Sequence, residues 1–217
     1  MKIKACLFDL DGVVVDTAKY HYIAWQKIAE DLGFHFSEKD NERLKGVSRM
    51  DSLDILLGLG KITLEQDQKE LMADKKNNLY VSYIRTMTPE EILPGVIPFL
   101  DDLRLNGILI GLGSASKNAM TILELIDLSH KFDVVIDGNK VSKAKPDPEV
   151  FLMGASELEV NPLNCLVFED AQAGIDAARN AGMHIIGIGQ DENLKNAEFV
   201  IPGFENMSFN RLQSLYL

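Results

Sequence analysis

Positive charge is in short supply in this chain: 22 lysines and arginines face 33 aspartates and glutamates, leaving a formal charge of -11. Nucleic acid and anionic membrane surfaces both reward basic patches, so the deficit argues against either as a partner. Cysteine is scarcer still. The two present, Cys6 and Cys165, lie inside apolar runs with the look of strands, which predicts buried thiols of a reduced, cytoplasmic protein rather than a disulfide. Long hydrophobic runs are missing as well: no stretch approaches membrane-spanning length. The N-terminal apolar run is too short for a signal peptide and is broken by Asp9. Internal repeats and low-complexity tracts are absent, and nothing resembles the long exposed apolar face of an obligate dimer, so a monomer is expected. What remains is 217 residues, 46% hydrophobic and 25% charged, enough for one large domain or a core with a smaller companion.

Short apolar runs recur at 3–8, 108–112, 134–136, 165–168, 185–188 and 199–201, and helical patterns such as 96–105, 119–126 and 171–181 separate several of them. Strand alternating with helix predicts an α/β fold: a Rossmann-like three-layer core in which helices cover both faces of a parallel sheet. The interval from Thr17 to Thr88 differs, with no convincing strand. There Ala18, Tyr22, Trp25, Ala29 and Leu32 repeat at helical spacing before Gly33, and further helical stretches follow at 38–44, 50–57 and 64–84. The expected organisation is a catalytic core of residues 1–16 and 89–217 with an all-helical cap, 17–88, inserted after the first strand. The crossings near Val15–Thr17 and Met87–Pro94 are the expected hinges.

Four polar pieces each follow a predicted strand. Asp9 and Asp11 end the first. Their i, i+2 spacing lets both face one reacting atom, one as nucleophile and the other as proton donor, and Gly12 lets the chain turn at once. Gly113-Ser114-Ala115-Ser116-Lys117-Asn118 offers hydroxyls and backbone N–H groups at a helix start, which suits either an anion site or an ordinary N-cap. Lys143-Ala144-Lys145-Pro146-Asp147-Pro148 is either a charged surface turn or a rigid frame for a lysine that neutralises a phosphoryl group. Phe168-Glu169-Asp170 ends another strand in two acids, which fits an N-cap by Asp170 or a hard-cation site. Parallel strands bring all four pieces to one edge of the sheet, where such folds bind ligands. Together they are the parts of phosphoryl transfer through an aspartyl phosphate.

The order Asp9-Leu10-Asp11-Gly12 with Asp16-Thr17, then Gly113-Ser114-Ala115-Ser116, then Lys145-Pro146, then Glu169-Asp170 resembles the haloacid dehalogenase superfamily. The helical insertion resembles its subgroup with a C1 cap. Along nearly the whole chain the similarity is to the branch that moves phosphate between positions of β-glucose. The residues that carry it are His21, Trp25, the run from Leu44 to Arg49, Asp51-Ser52, Lys76-Asn77, the loop from Ser114 to Asn118 and the run from Glu169 to Gly174.

That resemblance implies an intramolecular phosphotransferase interconverting β-D-glucose 1-phosphate and β-D-glucose 6-phosphate through β-glucose 1,6-bisphosphate. A Mg²⁺-dependent sugar-phosphate phosphatase on the same scaffold is the alternative. It further implies Asp9 as nucleophile and Asp11 as acid/base, with Thr17 and His21 positioning Asp11. One Mg²⁺ per chain would be held by Asp9, the Asp11 carbonyl and Asp170, with Glu169 alongside. Ser114, the Ala115 N–H, Asn118 and Lys145 would grip the transferring phosphate, and Arg49 the second phosphate, as a planar guanidinium can bidentately. Lys45, Gly46, Val47, Ser52 and Lys76 would line the sugar side, with Trp25, Ser116 and Lys117 completing the substrate set. The implied partner is a small sugar phosphate.

Overall fold

Alternating apolar and helical patterns build the elements in chain order. The computed structural model describes residues 3–190 and 194–216. The first strand, β1 (Ala5–Phe8), leads into four helices: α1 (Ala18–Asp31), α2 (Glu38–Asn41), α3 (Arg49–Gly60) and α4 (Gln66–Ile84). Helix α5 (Val96–Leu105) then precedes β2 (Leu109–Gly113), α6 (Ala119–Leu125), β3 (Val134–Ile136) and α7 (Glu149–Glu157). The chain continues through β4 (Cys165–Glu169), α8 (Gln172–Asn180), β5 (His184–Ile188), β6 (Phe199–Ile201) and α9 (Phe209–Leu215). All six expected strands form, with ends moved by a residue or two. Helices α7 and α9 are additions to the patterns singled out above.

The six strands form one parallel sheet in the order β3-β2-β1-β4-β5-β6. Chain order reverses direction across the sheet at β1, so the crevice beyond its carboxyl end is the topological switch point. Asp9 follows β1 directly. The strand alternation splits the core in two. Cys6, Phe8, Phe168 and Ile186 point into one apolar cluster, while Ala5, Leu7, Cys165 and Val167 point into the other. Phe8 stacks on Phe168 with ring centroids 4.7 Å apart, and Phe99 and Phe204 close the same aromatic group. The sheet register sets Cys165 beside Ala5, so the two buried thiols belong to opposite faces and remain free.

Between residues 17 and 88 every named element among the described residues is helical. These helices have their own apolar cluster around Trp25, Ile28, Phe36, Leu53 and Leu56. Ala24, Tyr80, Ile84 and Met87 join the sheet's cluster instead, so the base of the helical layer is packed into the core. The two chain crossings lie side by side: Leu93 N donates to Val14 O at 3.0 Å, and Val15 bridges to Ile92. Glu91 ties them further, accepting from Lys19 Nζ at 2.5 Å and Tyr20 Oη at 2.8 Å. No described helix is long and apolar enough to cross a membrane.

Candidate active site

Asp9 stands just past β1, with its N–H bonded to Phe168 O at 3.0 Å. Its Oδ1 accepts from Lys145 Nζ at 2.6 Å, and its Oδ2 accepts from the Asp11 N–H at 3.1 Å. The same Lys145 ammonium donates to Glu169 Oε1 at 2.7 Å and lies 4.8 Å above the Phe151 ring. Lys145 has no exposed side-chain surface, which removes the surface-turn alternative. Burial opposes its charge, but the Asp9 and Glu169 carboxylates outweigh burial and raise its pKa. Glu169 is pushed up to about 7 by burial, against the pull of Lys145. Its other oxygen accepts from the Ala171 N–H at 2.8 Å.

Asp170 does not cap α8: that position belongs to Ala171. Its carboxylate joins those of Asp9 and Glu169 in a cluster whose ligand atoms all lie within 4.8 Å of one another. Burial first, and then Glu169 and Asp9, hold the Asp170 carboxyl well above its ordinary range. The nearest cation is Lys45 Nζ, 3.9 Å from Oδ2 and closer to Glu42 at 3.1 Å. Gly12, at φ +81°, wraps the chain so closely that a Cβ there would lie 2.1 Å from Asp170 Oδ2. A buried, under-compensated set of carboxylate oxygens in such a cradle fits a hard divalent cation.

Asp11 is half-buried beside Asp9, and desolvation followed by that neighbour raises its pKa to about 6. Thr17 donates its hydroxyl hydrogen to Asp11 Oδ1. Thr17 belongs to the first crossing, so the orientation of Asp11 is tied to where the helical layer joins the sheet.

These groups open into a cavity of about 1240 Å³ between the sheet edge and the helices. Of the residues named from sequence, Asp9, Asp11, His21, Trp25, Lys45, Gly46, Val47, Arg49, Ser52, Lys76, Ala115, Ser116, Lys117, Asn118 and Asp170 line it. Thr17, Ser114, Lys145 and Glu169 stand behind that wall, each fully or almost fully buried. Asn118 sits at the start of α6 but makes no side-chain cap bond. Its Nδ2 reaches across the cleft to Asn77 Oδ1 at 3.0 Å instead.

The helical wall carries two cations, Arg49 and Lys76, with no carboxylate among the described residues at ion-pair distance. Arg49 is the first residue of α3, after the Ser48 N-cap, where the helix dipole disfavours positive charge. Burial lowers its pKa. Lys76 is buried between the Trp25 and Tyr80 rings, 4.8 and 4.6 Å from their centroids, and burial with Arg49 nearby lowers its pKa to about 7. Its ammonium lies 2.8 Å from His21 Nδ1. Burial, then Lys76, drive the His21 pKa well below its ordinary value. Its Nε2 is buried and has no partner among the described residues. His21 packs on Tyr80, with ring centroids 4.2 Å apart.

Lys76 provides a test of this wall by stability. Between pH 7 and 10.5 the folded chain releases a proton that the unfolded chain keeps, so stability rises with pH across that window. Lys76→Met is expected to abolish the rise and to stabilise the fold at pH 7 by about 1–4 kcal/mol, as uncompensated buried charge is replaced by packing. Denaturant midpoints from pH 6 to 10 measure both effects.

Asn77, Tyr80 and Asn41 belong to the site without having been assigned roles from sequence. Asn41 lines the cleft with a buried, unpartnered Oδ1. The spacing of Lys76 and Tyr80, four apart on one helix, was the available signal for Tyr80. It matches the spacing of His21 and Trp25 on the facing helix.

A carboxylate at a sheet switch point, clamped by a buried lysine within a cluster of acids and facing a helical wall, defines a phosphoryl-transfer enzyme. The chain belongs to the haloacid dehalogenase-like hydrolase family, whose model matches residues 3–182. It is 41% identical over 212 residues to a β-phosphoglucomutase of Bacillus subtilis, covering 97% of this chain and 94% of that protein. A phosphorylated carbohydrates phosphatase of Thermotoga maritima is 32% identical over 85% of this chain and 84% of its own length. The crystal structure of a β-phosphoglucomutase from Clostridium difficile superposes with a TM-score of 0.94 at 48% identity. That match covers 99% of this chain and 97% of that one.

Proposed function

We propose that this chain is a β-phosphoglucomutase, interconverting β-D-glucose 1-phosphate and β-D-glucose 6-phosphate. The observation that carries a mutase rather than a phosphatase is the presence of cations on both walls of the cleft. Lys145 serves Asp9 on the sheet side, while Arg49 and Lys76 lie on the helical side with no described carboxylate at ion-pair distance. Hydrolysis of a monophosphate needs only the first. A bisphosphate intermediate, bound in either of two orientations, needs both. The relatives named as β-phosphoglucomutases support the same choice.

In this mechanism the enzyme carries phosphate on Asp9. The C6 hydroxyl oxygen of β-glucose 1-phosphate attacks that phosphorus, Asp11 takes the hydroxyl proton, and the bond to the Asp9 oxygen breaks. The product, β-glucose 1,6-bisphosphate, turns over in the cleft so that its C1 phosphate faces Asp9. The Asp9 oxygen then attacks the C1 phosphorus, the bond from phosphorus to the C1 oxygen breaks, Asp11 returns the proton to that oxygen, and β-glucose 6-phosphate leaves the rephosphorylated enzyme. Thr17 orients Asp11 through its hydrogen bond, and His21 supports the same corner through Lys76 and Tyr80.

Ser114, the Ala115 N–H, Asn118 and Lys145 hold the transferring phosphate. Arg49, with Ser116 and Lys117 across the cleft, holds the other. Lys45, Gly46, Val47, Ser52, Lys76 and Trp25 shape the sugar side. Asp9, the Asp11 carbonyl and Asp170 would hold Mg²⁺, with Glu169 behind them; when bound, the ion neutralises charge on the phosphoryl group.

Residues 17–88 act as a cap that turns on the paired crossings bound by Glu91, closing the cleft against water when sugar is present.

Arg49→Ala separates the two activities. Isomerisation is expected to fall by about 10–100-fold, the worth of a charge-assisted contact to phosphate, while hydrolysis of a simple phosphate monoester changes little. Equal losses in both assays would contradict the assignment of Arg49 to the second phosphate.

A further inference from the structure

The loop that carries Ala115, Ser116 and Lys117 does not stand alone at the sheet edge. The last paired residues of β2 and β3 are Gly113 and Ile136. Past them, Ser114 N donates to Ile136 O at 2.9 Å, and Gly138 N donates to Ser116 O at 3.2 Å. The next rung is made by a side chain: Asn139 Nδ2 donates to Lys117 O at 2.9 Å. The Asn139 amide is itself fixed, because Asp137 accepts from the Asn139 N–H at 2.9 Å and from its Nδ2 at 3.0 Å. Asp137 is buried while Asn139 and Lys117 are exposed, so the brace is anchored in the protein at its Asp137 end. The two loops also touch directly. A Cβ on Gly138 would lie 2.4 Å from Ala115 O, so only glycine permits that approach.

We propose that Asn139, braced by Asp137, is a positioning residue that sets the affinity for the sugar phosphate by fixing the Lys117 carbonyl. A peptide plane held at its carbonyl oxygen has its direction set, and here the plane joins Lys117 to Asn118. Both of those residues line the cleft. Asn139 is absent from the cavity wall and acts only through this loop. The proposal rests on the mutase reading for the identity of the sugar phosphate. It does not involve Asp9 or Lys145, and Asn118, which also grips the transferring phosphate, keeps its own hydrogen bond to Asn77 Oδ1 at 3.0 Å, so the effect falls on sugar-phosphate binding rather than on the chemistry at Asp9.

The experiment compares the unsubstituted enzyme with Asn139→Ala and Asn139→Asp, the second being isosteric but without the Nδ2 donor. Dissociation constants for glucose 6-phosphate come from calorimetry, and kcat and KM from isomerisation. Hydrolysis of p-nitrophenyl phosphate, which needs only the Asp9 end of the cleft, reports the phosphoryl chemistry. Both variants are expected to bind glucose 6-phosphate about tenfold more weakly and to raise KM in step, the equivalent of one hydrogen bond. Their aryl phosphate hydrolysis and thermal melts should match the unsubstituted protein. Unchanged affinity in both variants would overturn the proposal. So would aryl phosphate hydrolysis and melting temperature falling together with affinity, because Asn139 would then merely support the fold. Failure of the unsubstituted enzyme to isomerise, with the affinity loss intact, would count against the mutase reading and leave Asn139 positioning a phosphate-binding loop. Failure of the unsubstituted protein to bind glucose 6-phosphate would overturn both.

Discussion

Asp9→Asn is expected to abolish isomerisation, with a loss of about 10⁴-fold or more, because the amide cannot form an acyl phosphate. The fold should survive. Asn keeps an oxygen to accept from Lys145 or from the Asp11 N–H, and Lys145 keeps its second carboxylate, Glu169. The informative measurement is acid-quenched labelling with radiolabelled β-glucose 1,6-bisphosphate. The unsubstituted enzyme should retain label on protein and Asp9→Asn none, while both melt at similar temperatures. Label retained by the variant would place the phosphoryl group on another side chain.

Lys145→Met should damage both stability and activity. Its ammonium has no exposed surface and is the direct partner of both Asp9 and Glu169. Taking it away leaves uncompensated buried carboxylates, a change that costs about 3–5 kcal/mol in comparable buried pairs. It also removes a preorganised charge from the transferring phosphoryl group, worth about 10²–10³-fold in rate.

The pH dependence of stability gives the sharper signature. Lys145 at present lowers the Glu169 pKa against the effect of burial, which nonetheless raises it to about 7. Without the lysine that pKa rises further, so the folded variant binds a proton that the unfolded chain, near 4.5, has lost. Stability from this group is then fully present below pH 4.5 and is lost progressively as pH climbs from there to the raised pKa above 7. The variant should therefore be markedly more stable at pH 5 than at pH 8, as denaturant titration would show. A flat profile would mean that Lys145 does not compensate Glu169.

Much of this site was legible from the chain because phosphoryl chemistry leaves contiguous marks. Asp9 and Asp11 end an apolar strand, Lys145 precedes a proline and Glu169 leads to Asp170. A parallel sheet necessarily brings such strand ends together. The strand periods of β1, β2 and β4 gave the core, and the long strand-free interval gave the helical layer. Helix α7 was harder to see, since Gly154 lies within it and weakens the local helical preference. That position is instead set by packing: a Cβ there would be 3.1 Å from Leu7. Helix α9 has only seven residues and few periodic positions, and its Ser208 cap is a weak signal. Phe204, just before it, completes the aromatic cluster through contacts distant in sequence.

Relations across the cleft were hidden for a different reason. The bond from Asn118 to Asn77 spans 41 positions and that from Lys76 to His21 spans 55, and no local pattern specifies either. The same holds for Asn139, whose partner Lys117 lies 22 positions earlier on a neighbouring strand end. Charge could be found in sequence, but its lack of a partner could not. Arg49 and Lys76 matter here because no carboxylate among the described residues lies within ion-pair distance of either, and that is a property of packing.

The central claim is that phosphate from Asp9 goes to sugar rather than to water. Its most direct measurement supplies the enzyme with Mg²⁺, β-D-glucose 1-phosphate and a trace of β-glucose 1,6-bisphosphate, then quantifies glucose 6-phosphate and inorganic phosphate in the same sample. A mutase should convert nearly all of the substrate to glucose 6-phosphate, with free phosphate no greater than the primer added. Stoichiometric release of phosphate with free glucose, and no glucose 6-phosphate, would make the protein a phosphatase and contradict the account.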